Sequence, residues 1–229
     1  MRDARIRLLL NPKLEEHERK AAASAAAHFE RFGLKVETIT SPDAPVWKDL
    51  CRKRIFEAVF REGMLTLHGS EPFGRPSYGV PNDGAILAAL TPHKIEWVSD
   101  RRVPLEGFNL FMVGSVVSTS SLKPSAADPY RSGGPASPDE AAEAIRLSMI
   151  HELGHALLGR EPVTNFGSFH GPLPYDDDGH CLAAGCIMRN VADYLSLLRR
   201  VASDRMDFCE RCGDLLKSRV SYINYLGAA

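Results

Sequence analysis

Two histidines four residues apart with a glutamate beside the first, "HELGH" from His151 to His155, are the best-spaced chemical groups in this 229-residue chain. Residues i and i+4 of a helix stand one turn apart on the same face. Both imidazoles can therefore address one metal ion, while Glu152, rotated by one residue, reaches toward a water beside it. Two imidazoles and a carboxylate on an apolar helix are costly unless something satisfies them. Such a set could hold a metal ion with a water beside it. A catalytic zinc site needs a third protein ligand and keeps a fourth position open for water. Downstream, "GHCLAAGCIM" offers His180 directly beside Cys181, and "CERC" offers Cys209 and Cys212. Cys181, Cys186, Cys209 and Cys212 fall in two close pairs and have the composition of a closed tetrahedral zinc site. Successive side chains in extended backbone point opposite ways, so His180 can face the catalytic metal while Cys181 faces the other.

These residues need a helix to carry them, and its start is written in "SPDE". Ser137 suits the N-cap, Pro138 the first helical position, and Glu140 completes a capping box three residues after the cap. The helix runs on through "EAAEAIRLSMIHELGHALL" to Gly159, with so few charges that nearly every face should be buried. The first forty residues read as strand ("RIRLLL"), helix ("KLEEHERKAAASAAAHFERF", stopping at Gly33) and strand ("LKVETIT"). Strands joined by so long a helix are most easily parallel, with a right-handed crossover. A second helix is expected in "VWKDLCRKRIFEAVFRE", and strands in "MLTLH", "KIEWVSD", "FNLFMVGSV" and "VVSTSSL". The glycines and prolines of "SEPFGRPSYGVPNDG" mark a loop. Toward the C-terminus, "VADYLSLLRRVASDRM" and "GDLLKSRVSYINYL" read as helices.

Composition narrows the setting. The net charge of -1 and pI of about 6.7 give no basic field for nucleic acid or an anionic membrane. The three-leucine run before Asn11 and Pro12 is too short for a secretory signal, and no 18-residue apolar stretch could span a bilayer. Four of the five cysteines lie in the two close pairs, which in a reducing compartment points to metal more than to disulfides. The expectation is a cytoplasmic protein with no nucleic-acid or membrane partner.

The chain resembles the archaemetzincins, a metzincin-clan family of zinc metallopeptidases with the pattern H-E-x-x-H-x-x-G-x-x-H-C, four residues, C-x-M, and a later C-x-x-C. His151, Glu152 and His155 match its start, His180, Cys181, Cys186 and Met188 its middle, and Cys209 with Cys212 its end. The resemblance implies two zinc ions: a catalytic one held by three histidines with Glu152 as general base and Met188 beneath the metal, and a structural one held by the four cysteines. It covers residues 151–212, about a quarter of the chain. Two features depart from the pattern. Leu158 stands where the family has glycine, with Gly159 one place late, and about twenty extra residues precede His180. Glu161 occupies the family's usual third-ligand position and His170 lies within the insertion, so both are alternatives to His180. The intact register of His180 with Cys181, Cys186 and Met188 favours His180.

The resulting expectation is a zincin-like α/β domain spanning residues 1–229. A twisted, mostly parallel mixed sheet backed by helices, with the active helix beneath it, forms an upper part (1–159). A smaller lower part (160–229) carries the third ligand, the Met188 turn and the cysteine-held zinc that staples it. The expected activity is peptide-bond hydrolysis by a monomer acting on a peptide or protein, the substrate lying along an edge strand at "VVSTSSL". The competing expectation is a zinc-stabilised binding protein with little or no catalysis.

Overall fold

The computed structural model describes residues 4–40, 56–61, 64–69, 85–98, 102–105, 107–110, 114–120, 135, 137–158, 180–189, 198 and 206–226. The expected opening is present. Strand β1 (Arg5–Leu10) leads to helix α1 (Glu16–Ala27), a 3-10 turn (Glu30–Phe32) and strand β2 (Lys35–Thr40), and β1 and β2 pair in parallel. Helix α1 starts where the Glu18 carboxylate accepts the Glu15 main-chain N–H at 2.7 Å. Its alanines Ala21, Ala22, Ala25 and Ala26 are buried, and their small size lets α1 lie close against the helix that carries "HELGH". Gly33 reverses the chain into β2 at φ 88°, a left-handed conformation that glycine adopts without strain.

Beyond β2 are β3 (Phe56–Arg61), β4 (Met64–Gly69), β5 (Ala85–Thr91), β6 (Lys94–Val98), β7 (Arg102–Leu105), β8 (Gly107–Leu110) and β9 (Gly114–Ser118). They form two sheets rather than the single one expected. The first has the order β2-β1-β5-β9-β8 and is parallel except for β8, which runs antiparallel to β9. The second has the order β3-β4-β6-β7. The chain passes from the first sheet to the second twice, between β2 and β3 and again between β5 and β6, the second time at Pro92 and His93. Proline has no N–H to extend a ladder, which makes this a natural break.

Three expectations need correction. The helix foreseen across "VWKDLCRKRIFEAVFRE" is strand β3 at residues 56–61, the rest lying outside the described residues. Six residue pairs with β4, from Phe56 with Gly69 to Arg61 with Met64, override the local helix propensity. Strand β5 was not foreseen, although it sits at the centre of the first sheet with every residue buried. Its "AILAALT" has the unbroken apolar run of a strand covered on both faces, and its alanines and leucines favour helix equally well. The segment "VVSTSSL" is not an edge: its Val116 to Ser118 belong to β9, and β8 is the edge beside it. The glycine- and proline-rich loop at 70–84 lies outside the described residues.

Helix α2 (Pro138–Leu158) carries the "HELGH" motif. Its cap forms as expected, the Glu140 N–H donating to Ser137 Oγ at 3.1 Å. Leu147 to His151 are buried without interruption, and the helix packs on β9, β8 and α1. Helix α3 (Glu210–Leu226) begins inside "CERC" and buries Cys212, Leu216, Val220 and Ile223, a stripe at helical spacing. Asn224 Oδ1 accepts the Ala4 N–H at 2.6 Å, tying α3 to the start of β1. Of the helix expected at 191–206, Leu198 is helical, Met206 is not, and the rest lies outside the described residues. Among the described residues, no helix is long and apolar enough to cross a membrane.

Candidate metal centres

Two clusters of ligating side chains meet where α2, the 180–189 segment and the start of α3 come together. In the first, one ring nitrogen from each of His151, His155 and His180 lies within 4.8 Å of the other two. His151 and His155 approach to 3.0 Å through their Nε2 atoms, and the His180 ring stands 5.4 Å from His151 and 4.8 Å from His155. His151 Nδ1 lies 2.8 Å from the carbonyl oxygen of Ile187. Donation to that carbonyl places the proton on Nδ1 and turns the Nε2 lone pair toward the cluster. Burial pushes His151 down to about 4, only partly opposed by the Ile187 hydrogen bond, so it is neutral and able to ligate at physiological pH. Glu152, half-buried, is the next residue along the helix.

The second cluster comprises Cys181, Cys186, Cys209 and Cys212, with no disulfide among them. The sulfurs of Cys181 and Cys209 stand 3.7 Å apart and those of Cys186 and Cys212 3.8 Å. Four sulfurs bound at about 2.3 Å around a tetrahedral zinc would stand about 3.8 Å from each other, so the spacing fits this ion. The thiols also share a charge unequally. The hydrogen bond between Cys186 and Cys212, together with donation from the Cys209 main chain, pulls the Cys186 thiol down, whereas burial pushes the Cys181 thiol up. Once one thiolate forms, its neighbours resist a second, and a divalent cation is what stabilises a fully ionised set.

One short turn serves both clusters. The Cys181 N–H donates to the Met188 carbonyl at 2.8 Å, closing the loop, and Gly185 turns it at φ 79° so that Cys186 returns beside Cys181. His180 joins the histidines and Cys181 the cysteines, as opposite-facing neighbours in extended chain require. Met188 is buried and lies under α2: a Cβ added at Gly154 would stand 2.3 Å from its sulfur. The structure therefore brings His151, His155, His180, Met188 and the four cysteines together. The alternative third ligands, His170 and Glu161, lie outside the described residues.

Sequence reasoning missed three participants. Gly154 left a signal, since glycine inside an otherwise strong helix costs about 1 kcal/mol against alanine and implies a close approach. The Ile187 carbonyl is a main-chain group with no signature in sequence. Asp207 left none either; its carbonyl accepts the Ile187 N–H at 2.9 Å across an isolated bridge between Cys186 and Asp207.

Comparisons with known proteins agree with this architecture. No family model matches the sequence, and no curated protein matches it. Among solved structures, the crystal structure of an archaemetzincin from Methanopyrus kandleri superposes with a TM-score of 0.51 and 17% identity, over 96% of this chain and 98% of that one. The chain thus shares, along nearly its whole length, the fold of an archaemetzincin.

Proposed function

We propose that this chain is a zinc-dependent peptidase with His151, His155 and His180 as the catalytic ligands, Glu152 as the general base, and a second, structural zinc on the four cysteines. The observation that carries the reading is the convergence of one ring nitrogen from each of three histidines, on α2 and the 180–189 segment, within 4.8 Å, with a half-buried carboxylate next to the first. When bound there, zinc supplies Lewis acidity, polarising a carbonyl and bringing the pKa of a water toward about 7. Ile187 holds His151 in the tautomer that ligates. Glu152 takes the proton from the attacking water and later hands it to the leaving amine, a role for a carboxylate beside the imidazole pair rather than within it. Met188 fills the space under α2 at Gly154, one residue before His155. An extended peptide has a place to bind at β8, the edge of the first sheet among the described residues, where it could add as a further strand. Peptide-bond hydrolysis rather than binding alone is favoured by Glu152, which a purely structural metal site would not need.

The test is a diverse synthetic peptide mixture incubated with the zinc-loaded protein and analysed by mass spectrometry. New peptide termini, abolished by a zinc chelator and restored by added zinc, are the expected result. Intact peptides co-purifying with the protein, with none cut, would assign it instead to the binding class.

A further inference from the structure

The two metal clusters are joined through one residue, Ile187. Ile187 donates its N–H to the Asp207 carbonyl at 2.9 Å and accepts, at its own carbonyl, the His151 imidazole at 2.8 Å. Its neighbour Cys186 and the nearby Cys209, two residues after Asp207, belong to the cysteine cluster. The Asp207 carboxylate is itself held from outside: the Arg31 guanidinium grips both its oxygens, and His28 Nε2 lies 3.2 Å from Oδ1. The Phe208 N–H closes back onto Oδ1 at 2.6 Å. A main-chain acceptor has no chemical identity to vary, so its position depends on what holds its residue.

We infer that Asp207 is a positioning residue: clamped by Arg31, it presents its carbonyl to the Ile187 peptide and so sets the orientation of His151 from the side of the cysteine cluster. The inference rests on the peptidase reading for what the histidine cluster holds. Its physical basis is the role of outer partners in metal sites, which fix the ring plane and tautomer of a ligating histidine. Here that partner is the carbonyl of a residue whose N–H is also held. A shift of Asp207 moves the Ile187 N–H, and the carbonyl on the far side of residue 187 moves with it. By linkage, whatever effect occupancy of the cysteine cluster has on affinity at the histidine cluster is returned in equal measure. Stability alone would not require the clamp, since the side chains of Arg31 and Asp207 are each 43% exposed and an ion pair so placed contributes little to folding.

The experiment uses the full chain carrying zinc in the cysteine cluster, into which Co2+ is titrated while its ligand-field absorption is followed. Asp207→Asn and Arg31→Ala are each expected to weaken cobalt binding at the histidines about tenfold. The double variant should be no worse than either single one, because both act through the same pair. Zinc in the cysteine cluster and the thermal transition should stay as in wild type. Cobalt affinity within about twofold of wild type in both variants, well short of the loss usual for an outer partner, would overturn the inference and leave the peptidase reading standing. Weakening matched by loss of zinc from the cysteines or by a lowered thermal transition would also overturn it, by showing that the pair supports the fold. A wild type that takes up no cobalt at the histidines would overturn the peptidase reading as well.

Discussion

Glu152→Gln is expected to lower turnover about 100- to 10,000-fold while leaving zinc at both clusters and the fold intact. Glutamine has nearly the shape of glutamate and preserves the packing of a half-buried position on α2. It cannot accept the proton of the attacking water. The loss should appear in kcat, with KM little changed, because the interaction removed exists only on the way to the transition state. Residual cleavage would come from the Lewis acidity of the metal and from substrate alignment along β8. A Glu152→Gln protein that cuts peptides at the wild-type rate would remove Glu152 from the mechanism and the main argument for catalysis with it.

Gly154→Ala is expected to destabilise the protein and weaken metal binding at the histidines, the reverse of what the substitution does on an open helix face. In a helix interior alanine is favoured over glycine by about 1 kcal/mol, so an unobstructed site would gain stability. Here the new Cβ would lie 2.3 Å from Met188 Sδ, 3.1 Å from its Cε and 3.2 Å from Phe208 Cε1. Both side chains are buried, and Phe208 is further held within the ring cluster of His28, Phe29 and Phe32. Overpacking costs about 1–3 kcal/mol, and a contact this close belongs at the upper end, leaving a net loss of roughly 2 kcal/mol. For a chain of this size that lowers the Tm by about 4–8 °C. Met188 must move for the methyl group to fit, and it shares the 180–189 turn with His180. The histidine cluster should therefore hold zinc less tightly. Calorimetry and a zinc titration check both effects, and a variant at least as stable as wild type would mean that Met188 does not pack under the motif.

Local signals were readable from the sequence and long-range pairings were not. Helix α2 could be placed because Ser137, Pro138 and Glu140 specify its start without reference to the rest of the fold. The split of His180 and Cys181 between two clusters followed from backbone alternation alone. Strand β3 was misread because its pairing with β4 outweighs a helix-like composition, a non-local effect that no window of sequence contains. Strand β5 escaped because burial on both faces erases the alternation that marks a strand. The edge was misplaced by one strand, since the order β5-β9-β8 is decided by topology rather than by the residues of "VVSTSSL". Within the site, the ligands carried spacing that could be recognised. Their supports did not: Ile187 and Asp207 act through main-chain atoms, and Arg31 reaches Asp207 from 176 positions away.

The claim on which the rest depends is that the chain holds two separate metal ions, one on three histidines and one on four cysteines. Zinc content per chain, measured by elemental analysis on wild type, His180→Ala and Cys209→Ala, tests it directly. Two zinc ions are expected in wild type, with one lost or weakened in each variant and the cysteine-held ion spared by His180→Ala. A single zinc in wild type, unaffected by His180→Ala, would contradict the catalytic site and leave a protein whose only metal is structural.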